Sequence, residues 1–152
     1  MADVGAVWHL RYRSASASAY KWELVGGSLV SAEVTTQQGT ASITYVALAT
    51  AGPLITVPLA GDYDVEIAFY GTAGASNAAY MSYDIGATGA TDSDAAYCVD
   101  TLGGGYATGI KKRRKTALAA STTLTSKYRS TSGAATAVFR ERRMFVKPIR
   151  VG

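Results

Sequence analysis

The sequence holds one cysteine, one histidine and three prolines, and only 17% of its 152 residues are charged. A single cysteine excludes a disulfide framework, and one histidine cannot complete a zinc site built from Cys and His alone. No apolar run approaches the roughly 20 residues of a membrane span, and the start of the chain lacks the basic-then-apolar layout of a signal peptide. The Leu, Glu and Lys that a helical bundle needs are sparse. What is present is 48% hydrophobic residues, 16 glycines, 10 tyrosines and abundant Ala, Ser and Thr. That mixture has enough apolar mass for a core and favours strands and turns.

The net charge of +4 conceals a division. Residues 1–109 carry three basic and ten acidic side chains, a net −7, whereas residues 110–152 carry twelve basic side chains and one acid, Glu141, a net +11. Two oppositely charged segments of this kind must fold against each other or meet in an assembly.

Period-two alternation recurs along the chain. Trp8, Leu10 and Tyr12 share one face, with His9, Arg11 and Arg13 on the other. Tyr20, Trp22 and Leu24 repeat the pattern, so the two runs predict an aromatic-faced hairpin. Weaker strands are expected at 29–34 and 42–48. The clearest strand is 62–70, with Tyr63, Val65, Ile67 and Phe69 directed inward and Asp62, Asp64 and Glu66 outward. Further strands are expected at 79–86, 106–115, 122–129, 135–140 and 143–151, and loops at 71–79, 86–91 and 101–109. About ten short strands at this spacing predict an all-β antiparallel sandwich of the jelly-roll kind. The expected organisation is an N-terminal arm or hairpin over 1–27 and a sandwich over 28–152.

Catalytic chemistry finds little material here. His9 has no nucleophile elbow to serve and reads as a strand-surface histidine, and Cys98 stands in an apolar run as a small buried hydrophobe. Asp62, Asp64 and Glu66 could clamp a cation or serve glycoside chemistry, but they read first as the polar side of an amphipathic strand. Gly103-Gly104-Gly105 leads into a strand rather than a phosphate-cradling helix. No enzyme activity and no cofactor is expected.

The run Lys111-Lys112-Arg113-Arg114-Lys115 is the sharpest local feature, with Lys127, Arg129, Arg140, Arg142 and Arg143 as possible extensions. On a strand, alternation sends Lys111, Arg113 and Lys115 one way and Lys112 and Arg114 the other. Pairing with Asp62, Asp64 and Glu66, within the subunit or across an interface, is the leading expectation. Nucleic acid ranks well below it, since no aromatic stacking signature accompanies the run. An anionic surface or glycan stays open.

Ala6-Val7-Trp8-His9-Leu10-Arg11-Tyr12-Arg13, followed by Ala19-Tyr20-Lys21-Trp22-Glu23-Leu24-Val25-Gly26-Gly27, resembles a segment of structural proteins of tailed bacteriophages. Those proteins are minor tail, tail-fibre, head-fibre and capsid-decoration proteins. Met81-Ser82-Tyr83-Asp84-Ile85-Gly86 and Leu124-Thr125-Ser126-Lys127-Tyr128-Arg129 fit the same pattern. Pro58-Leu59-Ala60-Gly61-Asp62-Tyr63 resembles the start of a strand in trimeric jelly rolls of the tumour-necrosis-factor and C1q kind. The resemblance implies a non-enzymatic homotrimer on the virion surface, assembled in the host cytoplasm and bound to capsid or tail proteins. Val7, Trp8, His9, Leu10, Arg11 and Tyr12 would anchor it to the particle. Charge complementarity between the two segments would help set register between subunits. A receptor- or carbohydrate-binding module is the alternative, with Tyr97, Asp100 and Tyr106 as its ligand loop and a host surface glycan as its partner. A glycosidase ranks third.

Overall fold

The computed structural model describes residues 8–12, 22–27, 29–74, 76–100 and 105–151, and gives the backbone alone at Trp8, residues 23–27 and Asp100. Among the described residues, eleven strands follow one another: β1 Trp8–Tyr12, β2 Trp22–Gly27, β3 Val30–Val34, β4 Gln38–Thr40, β5 Leu54–Thr56, β6 Gly61–Thr72, β7 Asn77–Ile85, β8 Ala96–Asp100, β9 Ala107–Leu118, β10 Thr123–Ser130 and β11 Ala137–Val151. A short 3₁₀ turn, Asp92–Asp94, precedes β8.

The strands form two antiparallel sheets. One runs β1-β2-β11-β6-β9, with β3 and β4 also paired to β11, and the other runs β5-β10-β7-β8. With the hairpin set aside and β3 and β4 taken as one position, the remaining strands pair first with last, second with seventh, third with sixth and fourth with fifth. That is the jelly roll of an all-β sandwich.

Alternation decides which residues meet between the sheets. Tyr63, Val65, Ile67 and Phe69 of β6 are all buried, as are Phe139, Met144 and Val146 of β11. They face Met81, Tyr83, Leu124 and Tyr128 of the opposite sheet in one hydrophobic cluster. Phe139 ties the layers together, its ring 5.1 Å from Phe69 and 4.9 Å from Tyr128.

Three expectations change. Segment 42–48 is not a regular strand and meets β10 through one bridge, Val46 to Tyr128, and a hydrogen bond from the Ser130 amide to the Ser42 carbonyl at 2.7 Å. Its serine and threonine side chains satisfy the local backbone instead: the Ser42 amide donates to Thr40 Oγ1, and the Thr44 amide to Ser42 Oγ. The strands expected at 135–140 and 143–151 are one strand, β11, with a bulge between Arg140 and Arg143 where Glu141 takes φ 50°. The bulge resets the alternation, turning Arg142 inward. Trp22, on the aromatic face of the hairpin, does not enter the core: it is 43% exposed, its ring tilted against Tyr12 at 5.1 Å. Its strand lies beyond β11, and Leu10 of the hairpin packs against the core cluster.

Candidate functional site

The fold explains the charge division. Because a jelly roll pairs early strands with late ones, acids of residues 1–109 lie beside bases of residues 110–152. On the outer face of the larger sheet, Asp64 of β6 stands directly opposite Arg114 of β9, and Glu66 opposite Lys112. Arg114 Nε donates to Asp64 Oδ1 at 2.9 Å, and Lys112 Nζ lies 3.5 Å from Oδ2. The Arg114 hydrogen bond holds the Asp64 carboxyl below the usual carboxylate range. Farther along the face Arg143 donates to Glu33 at 2.7 Å. Between these pairs lies a hollow of about 240 Å³ lined by Leu29, Phe145 and Lys147 with Asp64, Glu66 and Lys112.

The basic run divides across β9. Lys111, Arg113 and Lys115 stand opposite the inward-facing Ile67, Val65 and Tyr63. Lys115 and Arg113 do not meet the 62–66 face. Lys115 Nζ lies 2.6 Å from both carboxylate oxygens of the buried Asp94, and Arg113 Nε lies 3.8 Å away. Asp94 reaches them from the 3₁₀ turn, which closes the open side of the sandwich beside β9.

Asp62 has a third environment. Buried at a point where the register shifts on both neighbouring strands, it accepts the Ala117 amide at 3.0 Å and Arg150 Nη2 at 2.6 Å. Ala117 takes φ 55° there. The carboxylate thus satisfies the backbone amide that the irregularity in β9 leaves out of the ladder, and pairs with the Arg150 guanidinium across the irregularity in β11. Arg142, placed by sequence in a basic stripe, is 0% exposed and donates to the carbonyls of Thr36 and Thr50 at 2.9 and 3.1 Å. It fastens two loops to β11 and faces no solvent.

The anchor segment pairs with β2 through Trp8–Tyr12, and β2 joins β11 through Trp22 and Glu23. Val7 lies outside the described residues. His9 and Arg11 are exposed on the hairpin. Tyr97, Asp100 and Tyr106 do not form one loop site. Tyr97 belongs to β8 and stands 58% exposed on the outer face of the smaller sheet, stacked on Tyr80 at 5.4 Å. Tyr106 stacks on Tyr70 at 5.3 Å, on the outer side of the larger sheet, under the Arg140 guanidinium. Asp100 ends β8 opposite Asn77.

A polar groove that sequence reasoning missed crosses the smaller sheet. The hairpin Ile85–Thr88 turns residues 90–94 back over β7, where Ser82 Oγ donates to the Thr91 carbonyl and the Ala90 amide to Asp84 Oδ1, each at 2.8 Å. Asp92 arrives above β10 and takes Arg129 Nη2 on both oxygens at 2.9 Å. Tyr45 donates its hydroxyl to the same carboxylate at 2.7 Å. That hydrogen bond, more than any other cause, lowers the Asp92 carboxyl below its ordinary range. Burial, reinforced by Asp92, pushes the Tyr45 hydroxyl far up. Lys127 Nζ lies 3.3 Å from Asp84 Oδ2. The groove encloses about 640 Å³. Beside it Arg129 lies over the Tyr80 ring at 3.9 Å, and Tyr80 stacks on Tyr97. Arg129, Tyr80 and Tyr97 are register partners, so they form one row across three strands. The only sequence cue was that Asp92 and Arg129 fall in segments of opposite charge.

Among the described residues, no cluster of three or more His, Cys, Asp or Glu could hold a metal ion, and no helix is long and apolar enough to cross a membrane. No family model and no curated protein matches the chain. Among solved structures it is similar to the CBM22-1 xylan-binding domain from Paenibacillus barcinonensis Xyn10C. That match has 15% identity and a TM-score of 0.39, over 100% of this chain and 86% of that one.

Proposed function

We propose that this chain is a non-enzymatic structural protein of a bacteriophage particle, a homotrimeric decoration or fibre subunit displayed on the capsid or tail. The observation that carries the reading is the strand order. A jelly roll is an architecture of capsid and lectin domains, and of the phage-like sequence segments two form its β7 and β10, while the N-terminal ones include β1 and β2 beside it. The disposition of charge supports it too. Asp62, Asp64, Asp92 and Asp94 hold arginine or lysine, so these carboxylates join strands and loops rather than stand ready to transfer protons. The β1–β2 hairpin, carried at the sheet edge with Tyr12 and Trp22 exposed, is suited to anchoring.

The test is cosedimentation of the purified chain with stripped phage particles, together with light scattering. The full chain is expected to sediment with particles and to scatter as a trimer. A chain shortened through Tyr12 should remain folded yet stay in the supernatant, and undiminished binding by it would refute the anchor assignment. A receptor- or carbohydrate-binding role is the second reading, and the polar groove of the smaller sheet is the observation in its favour.

A further inference from the structure

We infer that the groove between Tyr45, Asp84, Asp92, Lys127 and Arg129 is a binding site for a neutral glycan. The inference rests on the carbohydrate-binding reading and is independent of how the subunit attaches to a particle.

Its chemistry follows from how the walls are balanced. Two carboxylates and two cations line the groove, so it has no net charge to attract an ion. An anion entering it would meet Asp84 and Asp92, and a cation would meet Lys127 and Arg129. A sugar hydroxyl suits both sets, because it can accept from the Lys127 ammonium while donating to Asp84 or to the Tyr45 oxygen, whose own proton goes to Asp92. The polar groups are already held in place: Arg129 by both oxygens of Asp92, Tyr45 by the same carboxylate, and Asp84 by the Ala90 amide. Asp92 is saturated by these bonds, accepting from Tyr45 and three times from Arg129, whereas Asp84, the Lys127 ammonium and the Tyr45 oxygen keep free sites, since a carboxylate offers about four acceptor sites and an ammonium three donors. A preorganised polar wall loses little entropy when a ligand binds.

The remaining features match the apolar side of a pyranose. Ile43 forms an exposed lip of the groove, and the aromatic row from Arg129 through Tyr80 ends at the exposed ring of Tyr97. The volume of about 640 Å³ is within the range of small-ligand sites and is open to solvent, as a chain-like ligand requires.

The probe is an array of neutral and anionic oligosaccharides, followed by titration calorimetry on the best ligand. The proteins are the full chain, its Lys127→Ala and Tyr45→Phe variants, and Lys112→Ala on the opposite sheet as control. Thermal melting would verify that each variant is folded. The site assignment predicts saturable binding of a neutral oligosaccharide. Affinity should fall about tenfold or more in Lys127→Ala, measurably in Tyr45→Phe, and stay unchanged in Lys112→Ala. Glycan binding that survives both groove substitutions would keep the carbohydrate reading and overturn this site. Binding of anionic glycans alone would overturn the ligand class. No binding at all would overturn both the site and the carbohydrate reading.

Discussion

Replacing Asp62 tests how far the fold depends on one carboxylate. Its side chain is 5% exposed, and it bridges two strands by accepting the Ala117 amide at 3.0 Å and Arg150 at 2.6 Å. Asp62→Ala leaves the Ala117 amide without its carboxylate at a bulge where Ala117 itself is exposed, so the cost is at the low end of the roughly 1–3 kcal/mol of a lost partner, about 1 kcal/mol. The Arg150 side chain is 47% exposed and can return to solvent, so its share is small, within about 1 kcal/mol. The total, about 1–2 kcal/mol, lowers the melting temperature of a domain this size by roughly 2–8 °C. Asp62→Asn keeps an oxygen for the Ala117 amide and loses only the charge, so it should cost less than half as much. Circular dichroism melts at pH 7 measure both. A change within about 1 °C for Asp62→Ala would refute the reasoning, since surface substitutions shift stability by no more than this. Equal losses for Ala and Asn would also refute it, by showing that the amide bond contributes nothing.

Other consequences follow from the same contacts. Asp64 and Asp92 titrate below the ordinary carboxylate value in the fold, so their stabilisation is complete above the unfolded pKa, about 4, and is lost as pH falls through the folded values. Melting temperatures should therefore be level from pH 5 to 7 and drop below about pH 4, and Asp92→Asn should make that drop shallower. Lys115→Ala uncovers the buried Asp94 and should cost roughly 2–4 kcal/mol, whereas the solvent-facing Arg114→Ala should barely change the melt. Gly52→Ala would place a methyl group against the Tyr128 hydroxyl and should destabilise the domain by calorimetry. Burial pushes up the hydroxyls of Tyr63, Tyr83 and Tyr128 as well as Tyr45, so an alkaline absorbance titration should show these tyrosines ionising late or only on unfolding.

The sandwich was legible in the sequence where burial on one face imposed strict alternation. β6 is the plainest case, because Tyr63, Val65, Ile67 and Phe69 could all face the core in only one register. β11 was harder, since the bulge at Glu141 breaks the parity and makes one strand look like two, with Arg142 assigned to a surface it never reaches. β8, which carries Tyr97 and Asp100 of the expected ligand loop, was hard to see as a strand, since five residues give alternation little length to show. The groove was illegible for another reason. Its residues come from 43–45, 84–92 and 127–129, and only the jelly-roll pairing brings them together. The charge division was visible at once, but its meaning depended on topology. In this pairing order, acids and bases far apart in sequence become neighbours within one chain.

The most direct test of the proposed role is immunogold electron microscopy of intact phage particles with antibodies raised against the folded chain. Regular labelling of the capsid or tail surface is the predicted result. Particles that stay unlabelled, while the same antibodies detect the free protein in the infected-cell lysate, would contradict a place on the virion.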